Sequence, residues 1–202
     1  AIQNNAYGGA SVERPMDLDD GGLIAYAKEG GRFFVSGSLG QQTDVFVQET
    51  LSSDTVMKPD NTAFLIWGGA NDYVSKEPVA GLITTFLDEP ESELGYESVA
   101  DTTIAGLASE IRTLYASGAR RFVMVNMPDL GRTPIILQNE SYAPKRKVGS
   151  DSGRRFRLSQ RLTALADYHN EKLALAVIQL NKELDGATVL LVDANRLTAN
   201  IL

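Results

Sequence analysis

The sequence predicts an α/β fold of three layers, α/β/α, built on a doubly wound, mainly parallel sheet. Three observations carry this reading. Short β-rich apolar runs recur at "TAFLIWG" (62–68), "RRFVMVNM" (120–127) and "TVLLVD" (188–193), the pattern of parallel strands buried on both faces. Helical periodicities separate them: Ile104, Leu107, Ile111 and Leu114 in the first gap, and a stripe from Leu158 through Leu162, Leu165, His169, Leu173, Val177 and Leu180 to Leu184 in the second. The order strand, helix, strand, helix, strand then calls for right-handed crossovers, with helices on both sides of the sheet.

Taken in chain order, a first strand is expected to end near Ala6, just before Gly8-Gly9. Ser38 is placed to cap a helix over "LGQQTDVFVQE". The strand at 62–68 runs into Gly68-Gly69 and is followed at once by Asn71 and Asp72. Ser98 or Asp101 could cap the next helix, and Gly118 is a natural stop. The second helix is expected over roughly 156 to 184, with Gly186 as its stop. Asp193 ends the last strand and is placed to cap "ANRLTANIL". Trp67 reads as a core residue. Two long connections remain, 75–97 with the acidic "LDEPESELGYE" and 137–157 with the basic "APKRKVGSDSGRRFR". Such loops are either solvated surface or functional; the basic one is a candidate flap meeting anionic head groups.

Composition narrows the function. The chain of 202 residues is 43% hydrophobic, enough for the core of one domain, taken as residues 1–202 without repeats. A net charge of -7 and a pI near 4.8 argue against a nucleic-acid partner. No apolar run approaches the roughly 20 residues that span a bilayer, and no leader pattern opens the chain. There is no cysteine, and His169 is the single histidine, so thiolate and multi-histidine metal sites are excluded within these residues. Neither GxGxxG nor GxxxxGK[ST] occurs, which disfavours nucleotide phosphate binding.

In a doubly wound sheet, ligands bind beyond the carboxyl ends of the strands. Three segments should reach that edge: Gly8-Gly9, "GAND" (69–72) and "NMPDLGRTP" (126–134). A backbone N–H at a glycine and a side-chain amide on neighbouring strand ends match an oxyanion hole, which stabilises the oxygen that turns negative when an acyl carbonyl is attacked. Asn71 and Gly9 also have plainer readings, as a turn residue and a tight strand-to-loop turn.

Five segments in order resemble the SGNH, or GDSL, hydrolase superfamily, and most closely its branch of bacterial phospholipases, lysophospholipases and glycerophospholipid–cholesterol acyltransferases. "NNAYGGA" (4–10) resembles the second block of the family, whose glycine is a backbone oxyanion donor, and the match falls on Gly9. "GAND" (69–72) resembles the third block, GxND, whose asparagine gives the side-chain donor, and the match falls on Asn71. "SLGQQTDVFVQE" (38–49), "ARRFVMVNMPDLGRTP" (119–134) and "LADYHNEKLALAVIQLNKEL" (165–184), with its His-Asn pair, resemble the intervening elements. The resemblance implies a serine esterase acting on lipid esters through an acyl-enzyme, without metal or organic cofactor. It also implies transient contact with a lipid surface and a secreted or periplasmic, bacterial-type location.

The family places its nucleophilic serine in a GDS block ahead of the second block and its histidine in a DxxH block after the segment that "VDANRL" (192–197) resembles. Neither block occurs in these residues, so the chain is expected to be the interior of a longer enzyme. The substitutes within it read as structural. Ser38 follows Gly9 and suits a helix cap. His169 lies inside an apolar stripe, and Asp167 sits roughly 200° around the helix from it, out of pairing range. Asp72 suits an acceptor of backbone hydrogen bonds that hold the Asn71 turn. Three other readings stay open: a non-catalytic SGNH-like domain binding an acyl or glycan ligand, a carbohydrate O-acyl esterase, and an unrelated doubly wound binding protein with a chance GxND.

Overall fold

The computed structural model describes residues 12, 38–52, 58, 61–73, 95–134, 136–137 and 158–199. Three strands, β1 (Ala63–Ile66), β2 (Arg121–Val125) and β3 (Thr188–Val192), form a parallel sheet in the order β1-β2-β3. Leu65, Val123 and Leu190 share one rung of the ladder. The helices are α1 (Leu39–Ser52), α2 (Gly95–Ala116), α3 (Leu158–Glu183) and α4 (Ala194–Ala199). The α/β class and the parallel sheet are as the sequence implies. The expected strand near Ala6 and most of both long connections lie outside the described residues.

Strand side chains alternate between faces. Ile66, Phe122, Met124 and Val189 point to one face, where they join Ile104, Leu107, Ile111 and Leu114 of α2 and Leu173, Val177, Leu180 and Leu184 of α3 in one core. α1 reaches the same core: Phe46 stands edge-on to Phe64, ring centroids 5.4 Å apart and planes at 84°. All three helices therefore pack on a single face of the described sheet. On the other face Leu65 is 69%, Trp67 64% and Leu190 57% exposed. This corrects the reading of Trp67 as core; in the described residues, helices cover one face of the three strands. The reason is topological. Strands that advance in one direction, joined by crossovers of one hand, put every crossover helix on the same side. Only a reversal of strand order moves helices to the other face, and the segment expected to supply it lies outside the described residues.

Local chemistry sets the helix ends. The Ser38 N–H donates to Gln41 Oε1 at 2.9 Å and Ser38 Oγ accepts from the Gln41 N–H at 3.2 Å, a reciprocal capping box that starts α1. α2 starts at Gly95, upstream of both Ser98 and Asp101, so neither caps it. Ala100 is already part of its buried stripe, and the helix must be formed before reaching it. α2 stops at Gly118, which adopts φ +100°, while the Ala119 N–H reaches back to the Leu114 carbonyl at 3.0 Å.

Asn181 on α3 acts as a stand-in for a fourth strand. Its Oδ1 accepts from the Val189 N–H at 2.9 Å and its Nδ2 donates to the Val189 carbonyl at 2.8 Å. These are the two groups of Val189 that face away from β2, where an open strand edge would otherwise leave them unpaired. Asn181→Ala is expected to cost about 2 kcal/mol. Urea unfolding measures this, and a loss under about 0.5 kcal/mol would show that the pairing contributes no more than an ordinary surface contact.

Candidate active site

The carboxyl ends of the strands carry the residues of interest. After β1, Trp67–Gly69 lead into a 3-10 turn, Ala70–Tyr73, closed by the Asp72 N–H on the Gly69 carbonyl at 3.2 Å. Gly69 adopts φ +107°, and a Cβ there would lie 3.0 Å from His169 Cε1 and 3.1 Å from Thr103 Cγ2. Both backbone angle and space therefore require glycine. The Asn71 backbone lies in this turn. The Asn71 side chain and Gly9 lie outside the described residues.

Asp72 ties the turn to the start of the chain. Its two carboxylate oxygens accept from the Val12 N–H at 3.0 and 2.9 Å, across 60 positions of sequence. The Val12 side chain is buried against α2, where Gly106 leaves a notch; a Cβ at 106 would fall 2.6 Å from Val12 Cγ1. Asp72 thus accepts a backbone hydrogen bond, as expected, from a donor in the N-terminal stretch.

The segment after β2 is held by side-chain amides and one carboxylate. Buried Asn126 donates through Nδ2 to Asp193 Oδ1 and accepts through Oδ1 from the Asn195 N–H, both at 2.9 Å. Asp193 Oδ1 also accepts from the Arg196 N–H at 3.0 Å, so Asp193 caps α4 as expected. The Arg196 N–H and the Asn126 amide hold its carboxyl below the ordinary aspartate value. Asn170 on α3 pairs with both backbone groups of Met127, each at 2.8 Å. Asp129 Oδ1 accepts from the Gly131 N–H at 2.9 Å and from Thr163 Oγ1 at 2.7 Å. Gly131 lies so close to α3 that a Cβ there would fall 1.9 Å from the Ser159 carbonyl oxygen. Beneath these loops Tyr73, Met127, Ile136, Leu162 and Leu165 form a second apolar cluster. Sequence reasoning missed the work of Asn126, Asp129 and Asn170; for Asn170 the His-Asn pair was the available signal.

His169 has no exposed surface. Its Nδ1 is hydrogen-bonded to the Tyr73 hydroxyl at 2.6 Å, which is the orienting bond expected of a structural histidine. Nε2 has no hydrogen-bond partner among the described residues. Burial pushes the His169 pKa down to about 4 and the Tyr73 hydroxyl well above the ordinary tyrosine value. Asp167 is on the exposed side of α3. Neither buried Ser38 nor His169 is placed as a solvent-facing nucleophile or base. Among the described residues no three His, Asp or Glu side chains gather as metal ligands, and no helix is long and apolar enough to cross a membrane.

A profile of the family described as GDSL-like Lipase/Acylhydrolase matches residues 2–201. The chain is similar to an acetylesterase of Thermothelomyces thermophilus, 26% identical over 192 residues that cover 94% of this chain and 50% of that protein. It is similar to GDSL esterase/lipase 22 of Arabidopsis thaliana, 29% identical over 142 residues covering 68% of this chain and 30% of that protein. It is also 26% identical over 149 residues to inactive GDSL esterase/lipase-like protein 25 of Arabidopsis thaliana, covering 74% and 31% respectively. The chain thus spans half or less of the length of these relatives, which come from a fungus and a plant.

Buried His169 predicts a pH dependence of stability. Above pH 6.5, the ordinary histidine value, folded and unfolded chains both hold the ring neutral. From there down to about 4 the unfolded chain takes up a proton that the folded chain refuses, so the native state loses up to about 3 kcal/mol. Urea unfolding at several pH values in that window should show this loss, and His169→Phe should flatten it. An unchanged slope in the variant would exclude His169 as the source.

Proposed function

This chain belongs to the GDSL-like lipase and acylhydrolase family, and from that premise we propose that it forms the oxyanion-holding body of a serine ester hydrolase acting on lipid esters. The carrying observation is the bond from the Val12 N–H to Asp72. It fixes the chain three residues after Gly9 against the turn that contains Asn71. A glycine N–H and an amide side chain are the donor types that a developing oxyanion requires, and the sequence offers Gly9 and Asn71 for these roles.

In this reading a serine Oγ attacks the ester carbonyl carbon, and the Gly9 N–H and the Asn71 amide receive the charge on the carbonyl oxygen. A histidine takes the serine proton and returns it to the departing alcohol. Water or a second alcohol then removes the acyl group. The serine belongs to a GDS block and the histidine to a DxxH block, neither of which occurs in these 202 residues. The finer assignment is a lipase, phospholipase A, lysophospholipase or acyltransferase, secreted or periplasmic and in transient contact with lipid.

A second reading has its own support, since some similar proteins are named inactive. It makes this a ligand-binding domain of the same fold. The acetylesterase likeness favours short acyl groups within the enzymatic reading. Rates on p-nitrophenyl esters from acetate to palmitate separate these cases.

In the protein that carries both blocks, Asn71→Ala should lower kcat roughly 10²–10³-fold with little change in folding. A wild-type rate from that variant would remove Asn71 from the site. Residues 1–202 alone should hydrolyse no p-nitrophenyl ester. Turnover by that piece, titrating with Ser38 or His169 substitutions, would overturn the structural roles given to those two residues.

A further inference from the structure

We propose that His169 and Tyr73 are positioning residues for the turn that presents Asn71, with the imidazole as the stop against which Gly69 bends. This rests on the reading of Asn71 as an oxyanion donor. The same ring touches both ends of the turn. Its Cε1 occupies the space 3.0 Å from where a Cβ on Gly69 would be, and its Nδ1 is 2.6 Å from the hydroxyl of Tyr73. Asn71 lies midway between these two residues. A ring that served only to fill the core would be replaced at lower cost by an apolar side chain, because Nε2 is buried with no hydrogen-bond partner among the described residues. Its neighbour Asn170 grips Met127, the start of the next strand-end loop. Consecutive residues of α3 thereby set two adjacent loops relative to one another.

The contact is lost in two separable ways. Tyr73→Phe removes one oxygen at almost constant volume and frees the ring. His169→Asn keeps a polar partner near the Tyr73 hydroxyl and withdraws the ring from Gly69. In the full-length protein each variant should lower kcat on a p-nitrophenyl ester roughly ten- to a hundredfold with KM unchanged, the signature of a displaced group rather than lost binding. The backbone amide resonances of Gly69 and Asn71 should move, while the side-chain amide of Asn181 stays in place. A wild-type kcat, or a lowered kcat with both resonances unmoved, overturns the proposal. If the wild-type protein hydrolyses no ester, the reading of Asn71 fails by itself. The positioning claim is then decided by the resonances: movement of Gly69 and Asn71 supports it and their constancy overturns it.

Discussion

A parallel strand can be followed by another only if the chain climbs back to the starting edge, and that return path governs this molecule. β1, β2 and β3 sit side by side in chain order, so both return helices land on one face and must pack on each other as well as on the sheet. The core that results is shared by all three layers of contact: Phe122 and Met124 from the central strand, Leu107 and Ile111 from α2, Leu173 and Leu180 from α3. Every strand also ends at the same edge. The turn with Asn71, the loop from Asn126 to Thr133 and the Asp193 cap meet there because the fold leaves them nowhere else to go.

That edge is held by a set of side-chain-to-backbone hydrogen bonds. Asp72 reaches the backbone of Val12, Asn170 that of Met127, Asp129 that of Gly131, and Asn126 that of Asn195. Each side chain satisfies a backbone N–H that lacks a partner in a loop or at a helix start. The second apolar cluster around Tyr73, Met127 and Leu165 lies underneath and keeps the loops seated on α2 and α3.

Much of this was legible in the sequence because it depends on neighbours in the chain. The alternation of two periodicities gave the α/β class. Ser38, Gly118 and Asp193 stand where caps and stops belong, and the structure uses them so. What could not be read depends on partners far away in sequence. A four-residue apolar strand looks the same whether one or both faces are covered, and so Trp67 was misplaced. Gly69 signalled a close approach, but nothing local says that the approaching group is a histidine 100 positions on. The start of α2 was set too late because Ala100 is too small to register as part of an apolar stripe.

Trp67 carries a practical consequence. It is the only tryptophan in the chain, it stands 64% exposed, and it extends the row of side chains begun by Leu65 on the outer face of the sheet. Indole emission moves to shorter wavelength when water is replaced by apolar neighbours. The intrinsic fluorescence of residues 1–202 is therefore a single-position optical gauge of whether that face is wet or covered, and it is read without any label.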